Sequence, residues 1–156
     1  MKDDYAAVFN KSLKFLSYRP RSEHETAQYL LKKGVDQPLL KKIIDRLKEL
    51  KFLNDQDFCR WWIEQRRGIN PRGLRLVKVE LKKKGISDEL IEAELRKNCQ
   101  GVTDLELAER IVQKRLPKLK GLAGFTIKKK LYYLLLQRGF DFEIVRQAVD
   151  KALKKE

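Results

Sequence analysis

The chain has 156 residues, of which 42% are hydrophobic and 37% are charged, with only 8 glycines and 4 prolines, a composition that excludes a disordered chain and favours helices. Lys and Arg number 36 against 22 Asp and Glu, and the net charge of +14 indicates a polyanionic partner such as DNA, RNA or an acidic protein surface. Because no apolar run approaches the roughly 20 residues that cross a bilayer, and because the acidic start is unlike a signal peptide, we expect a cytoplasmic protein without a membrane partner.

The first predicted helix covers residues 6–16, where apolar side chains recur at helical spacing. Ser22 and Glu25 have the spacing of a capping box, which predicts that a second helix opens there and runs to Gly34. An apolar stripe over residues 40–50 predicts a third helix. These three helices form the first predicted unit of the chain.

The middle of the chain shows the same plan. Asn54 or Asp55 caps a predicted helix that ends at the loop of residues 68–71. Apolar stripes over residues 74–81 and 90–95 predict two further helices. The second unit therefore also contains three helices.

The last part of the chain repeats this pattern once more. Thr103 and Glu106 have capping-box spacing and open a predicted helix that ends at residues 117–121. Apolar stripes over residues 127–135 and 144–149 predict the two remaining helices.

Three glycines relate these units to one another. Gly34, Gly85 and Gly139 lie 51 and 54 residues apart, and each follows a basic helix end and precedes one apolar residue. Glycine suits the left-handed position that closes a helix, and the capping residue two positions later (Asp36, Ser87 or Asp141) can begin the next helix. Pro20-Arg21 and Pro71-Arg72 stand at matching distances before the first two glycines. We therefore predict an all-α chain of three tandem three-helix repeats, with boundaries at residues 1–53, 54–100 and 101–156.

A few single residues bear on the core. Trp61 and Trp62 point about 100° apart on a helix, so one should enter the core while the other fills a repeat junction or faces a partner. Cys59 and Cys99 are predicted to be reduced thiols in or near the core. His24, the only histidine, is expected to be an exposed polar residue in a first helical turn, without metal-ligand spacing to any partner.

Eight stretches, in this order and spacing, resemble one known family, and together they span most of the chain: Ser17–Glu23, Leu30–Gly34, Leu47–Cys59, Arg66–Arg67, Pro71–Gly73, Glu80–Ile86, Ala108–Leu116 and Arg138–Phe140. They are similar to the signature segments of the RecX family, the modulators of the RecA recombinase filament. The resemblance implies an elongated, curved stack of three-helix repeats that lies in the groove of the RecA–DNA filament. It also implies that the chain restrains ATP hydrolysis, strand exchange and co-protease activity of RecA.

The basic side chains concentrate on the second helix of each repeat and on the loop before it, and the central set is expected to make the main contact. We predict that the RecA- or DNA-binding residues are Arg19, Arg21, Lys32, Lys33, Arg66, Arg67, Arg72, Arg75, Lys78, Lys82, Lys83, Lys84, Lys128, Lys129, Lys130 and Arg138. Arginine can bind phosphate or carboxylate in bidentate fashion, whereas lysine acts as a point charge. The alternative is a solvated face without a specific partner.

The sequence does not favour an enzyme, a cofactor or a metal site, because it lacks a glycine-rich phosphate loop, a nucleophile with a nearby base and a cluster of metal ligands. Two other classes stay open: a stand-alone basic DNA- or RNA-binding helical protein, and a purely structural interaction protein. For the first class, contacts to single- or double-stranded DNA should be non-sequence-specific, since no helix carries a base-reading pattern. A monomer is expected, because a repeat stack needs no symmetric partner.

Overall fold

A computed structural model describes residues 4–98 and 102–154, and over these residues the chain is helical without any strand. The all-α prediction is confirmed. The described helices are α1 (Tyr5–Tyr18), α2 (Glu23–Lys32), α3 (Gln37–Glu49), α4 (Asp55–Arg67), α5 (Leu74–Lys83), α6 (Asp88–Asn98), α7 (Asp104–Arg115), a short 3₁₀ helix (Leu116–Leu119), α8 (Gly124–Gln137) and α9 (Phe142–Lys154).

The helices form two compact units. Of the described residues, the first contains those up to Trp62 together with Leu81–Glu94, and the second contains Ile63–Glu80 together with those from Leu95 onward, so that α4, α5 and α6 contribute to both. In the first unit, α1, α2 and α3 pack on one another around a core of Val8, Leu30, Val35, Leu40, Ile43, Leu47 and Leu53. In the second unit, α7, α8 and α9 enclose a core that is centred on Ala108, Val112, Leu131, Leu135, Phe140, Val145 and Val149.

The three repeated glycines close their helices as predicted. Gly34, Gly85 and Gly139 adopt left-handed backbone conformations, with φ of +86°, +81° and +88°. In each case the amide of the following apolar residue donates to the carbonyl of the leucine four residues before the glycine, as in a Schellman motif. The three hydrogen bonds join Val35 to Leu30 at 3.1 Å, Ile86 to Leu81 at 3.1 Å and Phe140 to Leu135 at 3.2 Å.

The first capping box is confirmed. The Glu25 amide donates to Ser22 Oγ at 3.1 Å, and the Ser22 amide donates to Glu25 Oε1 at 3.3 Å. At the start of α4 the cap is Asn54, whose Oδ1 accepts from the Asp57 amide at 3.1 Å. Asp55 instead contacts α2, since its Oδ1 accepts from the Glu23 amide in the first turn of that helix at 2.9 Å. The structure therefore decides between the two predicted caps in favour of Asn54.

Other predicted helix starts are made in the same way. Asp36 caps α3, Ser87 caps α6 and Thr103 caps α7, each accepting from the backbone amide three residues later at 2.9–3.2 Å. Each of these side-chain caps contributes about 1 kcal/mol to helix stability. Short polar side chains thus set the helix starts across the repeats.

One junction in the first unit joins the start of α2 to the end of α5. Ser22 Oγ donates to the Lys84 carbonyl at 2.7 Å, which satisfies one of the unpaired carbonyls of that helix end. Gly85 lies so close to His24 that a Cβ at this glycine would overlap the His24 side chain. The His24 side chain is exposed as predicted, while its first carbon packs on the glycine.

The second unit contains a junction of the same construction. The Gly73 amide donates to the Arg138 carbonyl at 2.8 Å, and a Cβ on Gly73 would overlap the Gly139 backbone. Gly139 itself lies against Leu76, whose Cβ fills the space that a side chain would need. Ser22 and Gly73 hold equivalent positions, each directly after a Pro-Arg pair. The residue that follows each Pro-Arg pair thus contacts a helix end in the next repeat.

The aromatic pair divides as predicted, since Trp62 is buried at 8% exposure while Trp61 is only half-buried. Both rings lie in the first unit beside Phe58, at centroid distances of 5.7 Å for Trp62 and 6.2 Å for Trp61.

Within the described residues, none of the helices combines the length and the apolar character that a membrane crossing requires.

Cys59 is fully buried and unbonded to another sulfur, whereas Cys99 lies outside the described residues. Burial, aided by the charges of Glu94 and Asp55, raises the pKa of the Cys59 thiol to about 12. In a Cys99→Ser variant we expect Cys59 to resist a thiol reagent at pH 8 and to react only on unfolding, because both the thiolate and access are lacking. Reaction of the folded variant within minutes would contradict this burial.

Candidate polyanion interface

Three of the predicted binding residues converge on one carboxylate in the first unit. Glu25, whose side chain is 11% exposed, forms an ion pair with Arg19, and Lys84 Nζ and Arg21 Nη1 lie 3.4 Å and 3.8 Å from its Oε2. Burial alone would raise the pKa of Glu25. The hydrogen bonds from Arg19 and the Ser22 amide, with the positive charges of Arg19 and Lys84, outweigh burial and lower that pKa.

Aromatic rings surround the same cations. The Arg21 guanidinium lies 4.0 Å from the Phe15 ring centroid, while Lys84 Nζ and the Arg19 guanidinium lie 5.4 Å and 5.8 Å from the Trp62 ring. Such cation–π contacts add to the ion pairs. Arg19, Arg21 and Lys84 therefore hold α2 in place within the first unit.

Arg67 is a structural residue of the second unit. Its guanidinium forms an ion pair with Asp104 and donates to the Arg72 carbonyl at 3.0 Å, and its side chain is only 10% exposed. Asp104 also accepts from the Leu74 amide at 3.1 Å, so this carboxylate links the starts of α5 and α7. Arg66 pairs with Glu80 at 3.2 Å. Much of the charge of these two arginines is compensated internally.

Other predicted residues form exposed ion pairs. Arg75 pairs with Asp141 at 3.5 Å, Lys82 with Asp88 at 3.0 Å and Lys128 with Asp150 at 3.8 Å. Surface pairs of this kind contribute between 0 and about 1 kcal/mol and exchange readily for another anion. These three side chains remain accessible to a partner, and Lys78 is half-buried.

Among the residues that the structure describes, seven predicted cations have no acidic side chain within 4 Å: Lys32, Lys33, Arg72, Lys83, Lys129, Lys130 and Arg138. A depression of about 560 Å³ in the first unit brings Lys32, Lys33 and Lys83 together. In the second unit, Lys129 and Lys130 are exposed on α8. The prediction that these residues bind a partner is not tested by the structure.

The second unit also brings two predicted arginines near one that the sequence analysis missed. Burial lowers the pKa of Arg138, and the positive charges of Arg72 and Arg115 lower it further. Like charges repel, so a cluster of guanidinium groups without acidic partners lowers its free energy by binding an anion. The surroundings of Arg138 therefore hold three arginines close to one another.

Arg115 belongs to a cleft of about 980 Å³ whose other missed cations are Arg110, Lys114, Lys118 and Lys151. Arg110, Lys114 and Lys118 recur every four residues; the first two lie on one face of α7, and Lys118 lies in the 3₁₀ helix that follows it. That spacing was visible in the sequence. It was missed because the prediction concentrated on the second helix of each repeat and the loop before it.

Within the described part of the chain, no group of three or more His, Cys, Asp or Glu side chains is arranged to hold a metal ion. The acidic residues highlighted above serve as helix caps or ion-pair partners. The arrangement of the site is suited to binding an anionic surface.

Comparison with known proteins gives a consistent result. Models of three RecX domains match the chain in order: the first three-helix domain at residues 9–47, the second at 54–95 and the third at 103–149. The regulatory protein RecX of Bacillus pumilus is 37% identical over 146 residues, which cover 92% of this chain and 54% of the relative. That of Prosthecochloris aestuarii is 32% identical over 150 residues, which cover 96% of both chains.

The chain thus spans about half the length of the Bacillus relatives and nearly all of the Prosthecochloris protein. A crystal structure of RecX from Lactobacillus salivarius has a TM-score of 0.78 and covers 97% of both chains at 22% identity. At this level of identity the structural likeness shows the fold alone, which is a chain of three-helix domains.

Proposed function

Because the chain belongs to the RecX family, we propose that it binds the RecA–DNA filament and lowers ATP hydrolysis, strand exchange and co-protease activity of RecA. The observation that carries this proposal is the match of all three RecX domains, in order, over most of the chain. The name of the relatives, regulatory protein RecX, supports a regulatory role rather than an enzymatic one. No cofactor is needed for this activity, and the chain acts as a monomer in the cytoplasm.

The distribution of charge supports a filament as the partner. Uncompensated basic side chains occur in both units, with Lys32, Lys33 and Lys83 in the first and Arg72 and Arg138 in the second. A RecA–DNA filament offers a long polyanion on which such groups can bind without reading sequence. Cations spread over successive repeats suit a long, periodic partner.

The proposal is tested by the rate of single-strand-dependent ATP hydrolysis of the cognate RecA, measured with increasing amounts of this chain. We expect the rate to fall at well below one chain per RecA, because one bound chain affects many subunits of a filament. An unchanged rate up to equimolar amounts would contradict the proposal.

Reversing the charge of Arg72 and Arg75 should relieve that inhibition. The matched control is the reversal of Lys41 and Lys42, which are exposed on α3 in the first unit and change the net charge by the same amount. Relief by both pairs alike would indicate a general effect of charge. Inhibition by the Arg72 and Arg75 variant that equals the wild type would remove these two residues from the interface.

A stand-alone nucleic-acid-binding protein is the second candidate, and the uncompensated cations of the second unit favour it. Such a protein would bind bare DNA or RNA in a strongly salt-dependent manner, and it would lower the RecA rate only by occupying the DNA strand itself, in amounts that cover the strand. A fall in the rate of a preformed filament at well below one chain per RecA therefore separates the two functions.

A further inference from the structure

The cleft of about 980 Å³ in the second unit is bordered by α7, the 3₁₀ helix, α8, α9 and the loop after α4. Seven basic side chains line it, and two of them are committed elsewhere: Arg67 pairs with Asp104, and Lys151 lies 3.4 Å from Glu109. The remaining five have no acidic side chain within 4 Å among the described residues: Arg110, Lys114, Arg115, Lys118 and Arg138.

Negative charge in the cleft is too small to balance these five cations. Its acidic lining consists of Glu106 and Glu109, and Glu109 is already engaged by Lys151. Glu106 is exposed at the start of α7 and carries one charge. The cleft therefore holds an excess of positive charge on its own walls, and an anion that enters it removes repulsion between guanidinium groups.

The spacing of the cations suits a chain of anions rather than a single ion. Arg110 and Lys114 are one turn of α7 apart, a spacing that places their Cβ atoms about 6 Å from each other, and Lys118 extends the set into the 3₁₀ helix. Arg115 and Arg138 add two guanidinium groups, which can bind phosphate oxygens in bidentate fashion. Successive phosphates of one strand can thus contact successive side chains.

The apolar surface of the cleft indicates which polyanion enters it. Leu107 and Ile111, which line the cleft, are only 3% and 7% exposed, so they offer little contact to apolar side chains of an acidic peptide. Ile69, in contrast, projects from the border of the cleft at 91% exposure. An isolated apolar side chain beside a row of cations suits an unpaired base next to its phosphates, and a duplex would keep its base faces stacked inside.

We propose that this cleft binds the phosphodiester backbone of single-stranded nucleic acid, with a base resting against Ile69. The inference rests on the proposed function only in that it assigns the DNA contact of that function to a particular place. It is tested on the free chain without RecA, so that its failure and the failure of filament modulation are distinguishable.

The test compares two triple variants of the full chain by anisotropy of a labelled oligothymidylate. The cleft variant replaces Arg110, Lys114 and Arg115 with Gln. The control variant replaces three exposed lysines of the first unit with Gln: Lys14, Lys41 and Lys42. Both lose three positive charges. We expect the cleft variant to bind at least about tenfold more weakly at low salt and to lose about 2 from the slope of log affinity against log salt. The control should change both quantities much less.

Two further experiments identify the chemical class of the ligand that the cleft binds. Ile69→Ser should weaken binding of the single strand and leave binding of a duplex of equal charge unchanged. Equal affinities of the two triple variants would overturn the cleft as the site, and equal effects of Ile69→Ser on both nucleic acids would overturn its preference for a single strand. Displacement of the oligonucleotide by polyglutamate at equal charge concentration would assign the cleft to an acidic peptide instead. Circular dichroism confirms that each variant is folded.

Discussion

Replacing Gly139 with alanine should lower the free energy of unfolding by about 3 kcal/mol or more, whereas the same replacement at Gly34 should cost about 1 kcal/mol. The two glycines have nearly the same backbone conformation, with φ of +88° and +86°, and both close a helix with the same hydrogen bonds. They differ in their surroundings. A Cβ at Gly139 would overlap Leu76, whereas nothing lies within 4 Å of a Cβ at Gly34.

Urea denaturation of the two variants measures this difference directly. Hydrogen exchange shows which unit is destabilised. In Gly139→Ala the amide of Val149 in the second unit should lose protection, while the amide of Leu47 in the first unit should keep it. Gly85→Ala should resemble Gly139→Ala, since its Cβ would overlap His24. Equal losses at Gly34 and Gly139 would show that only the left-handed backbone matters and that the junction is not tightly packed.

The second large effect is expected at Glu25. Glu25→Gln should cost about 2 kcal/mol near neutral pH, because hydrogen bonds to a charged group contribute 1.5–3 kcal/mol and three half-buried cations lose their counter-ion. The pKa of Glu25 in the folded chain lies below its ordinary value of 4.5. The unfolded chain therefore takes up a proton at higher pH than the folded chain does.

The pH dependence follows from this sign. The stabilisation from Glu25 is fully present above the ordinary pKa of a glutamate and is lost as the pH falls through the lowered pKa of the folded state. The difference between wild type and Glu25→Gln should therefore shrink below about pH 4.5. Glu49→Gln is the control, since Glu49 is 66% exposed in its pair with Arg46 and should cost less than about 0.5 kcal/mol. A gap between wild type and Glu25→Gln that stays constant from pH 7 to pH 3 would speak against the buried ion cluster.

The helix ends could be predicted from the sequence because they depend on short-range contacts. Ser22 and Glu25 are three residues apart, and a glycine closes a helix through hydrogen bonds within six residues. The same local reasoning could not choose between Asn54 and Asp55, since both residue types cap helices. That choice depends on the contact of Asp55 with the Glu23 amide, which lies 32 residues away.

The candidate site was harder to predict for the same reason. A basic residue in a sequence shows a charge and does not show whether an acidic side chain compensates it. Arg67 is compensated by Asp104, which is 37 residues away, and Lys84 by Glu25, which is 59 residues away. The cleft arises where α7, α8 and α9 leave space between them, and that space depends on packing. The sequence could predict an excess of positive charge. The structure was needed to show which basic side chains have no acidic partner.

Arg138 has two separate roles, one of its backbone and one of its side chain. Only the carbonyl oxygen of Arg138 holds the junction, while its guanidinium lines the cleft. Any amino acid at position 138 supplies that carbonyl, so the side chain can change without loss of the contact between repeats. Evolution can therefore adjust the affinity of the cleft at this position, and even its preference among anions, while the repeats stay joined.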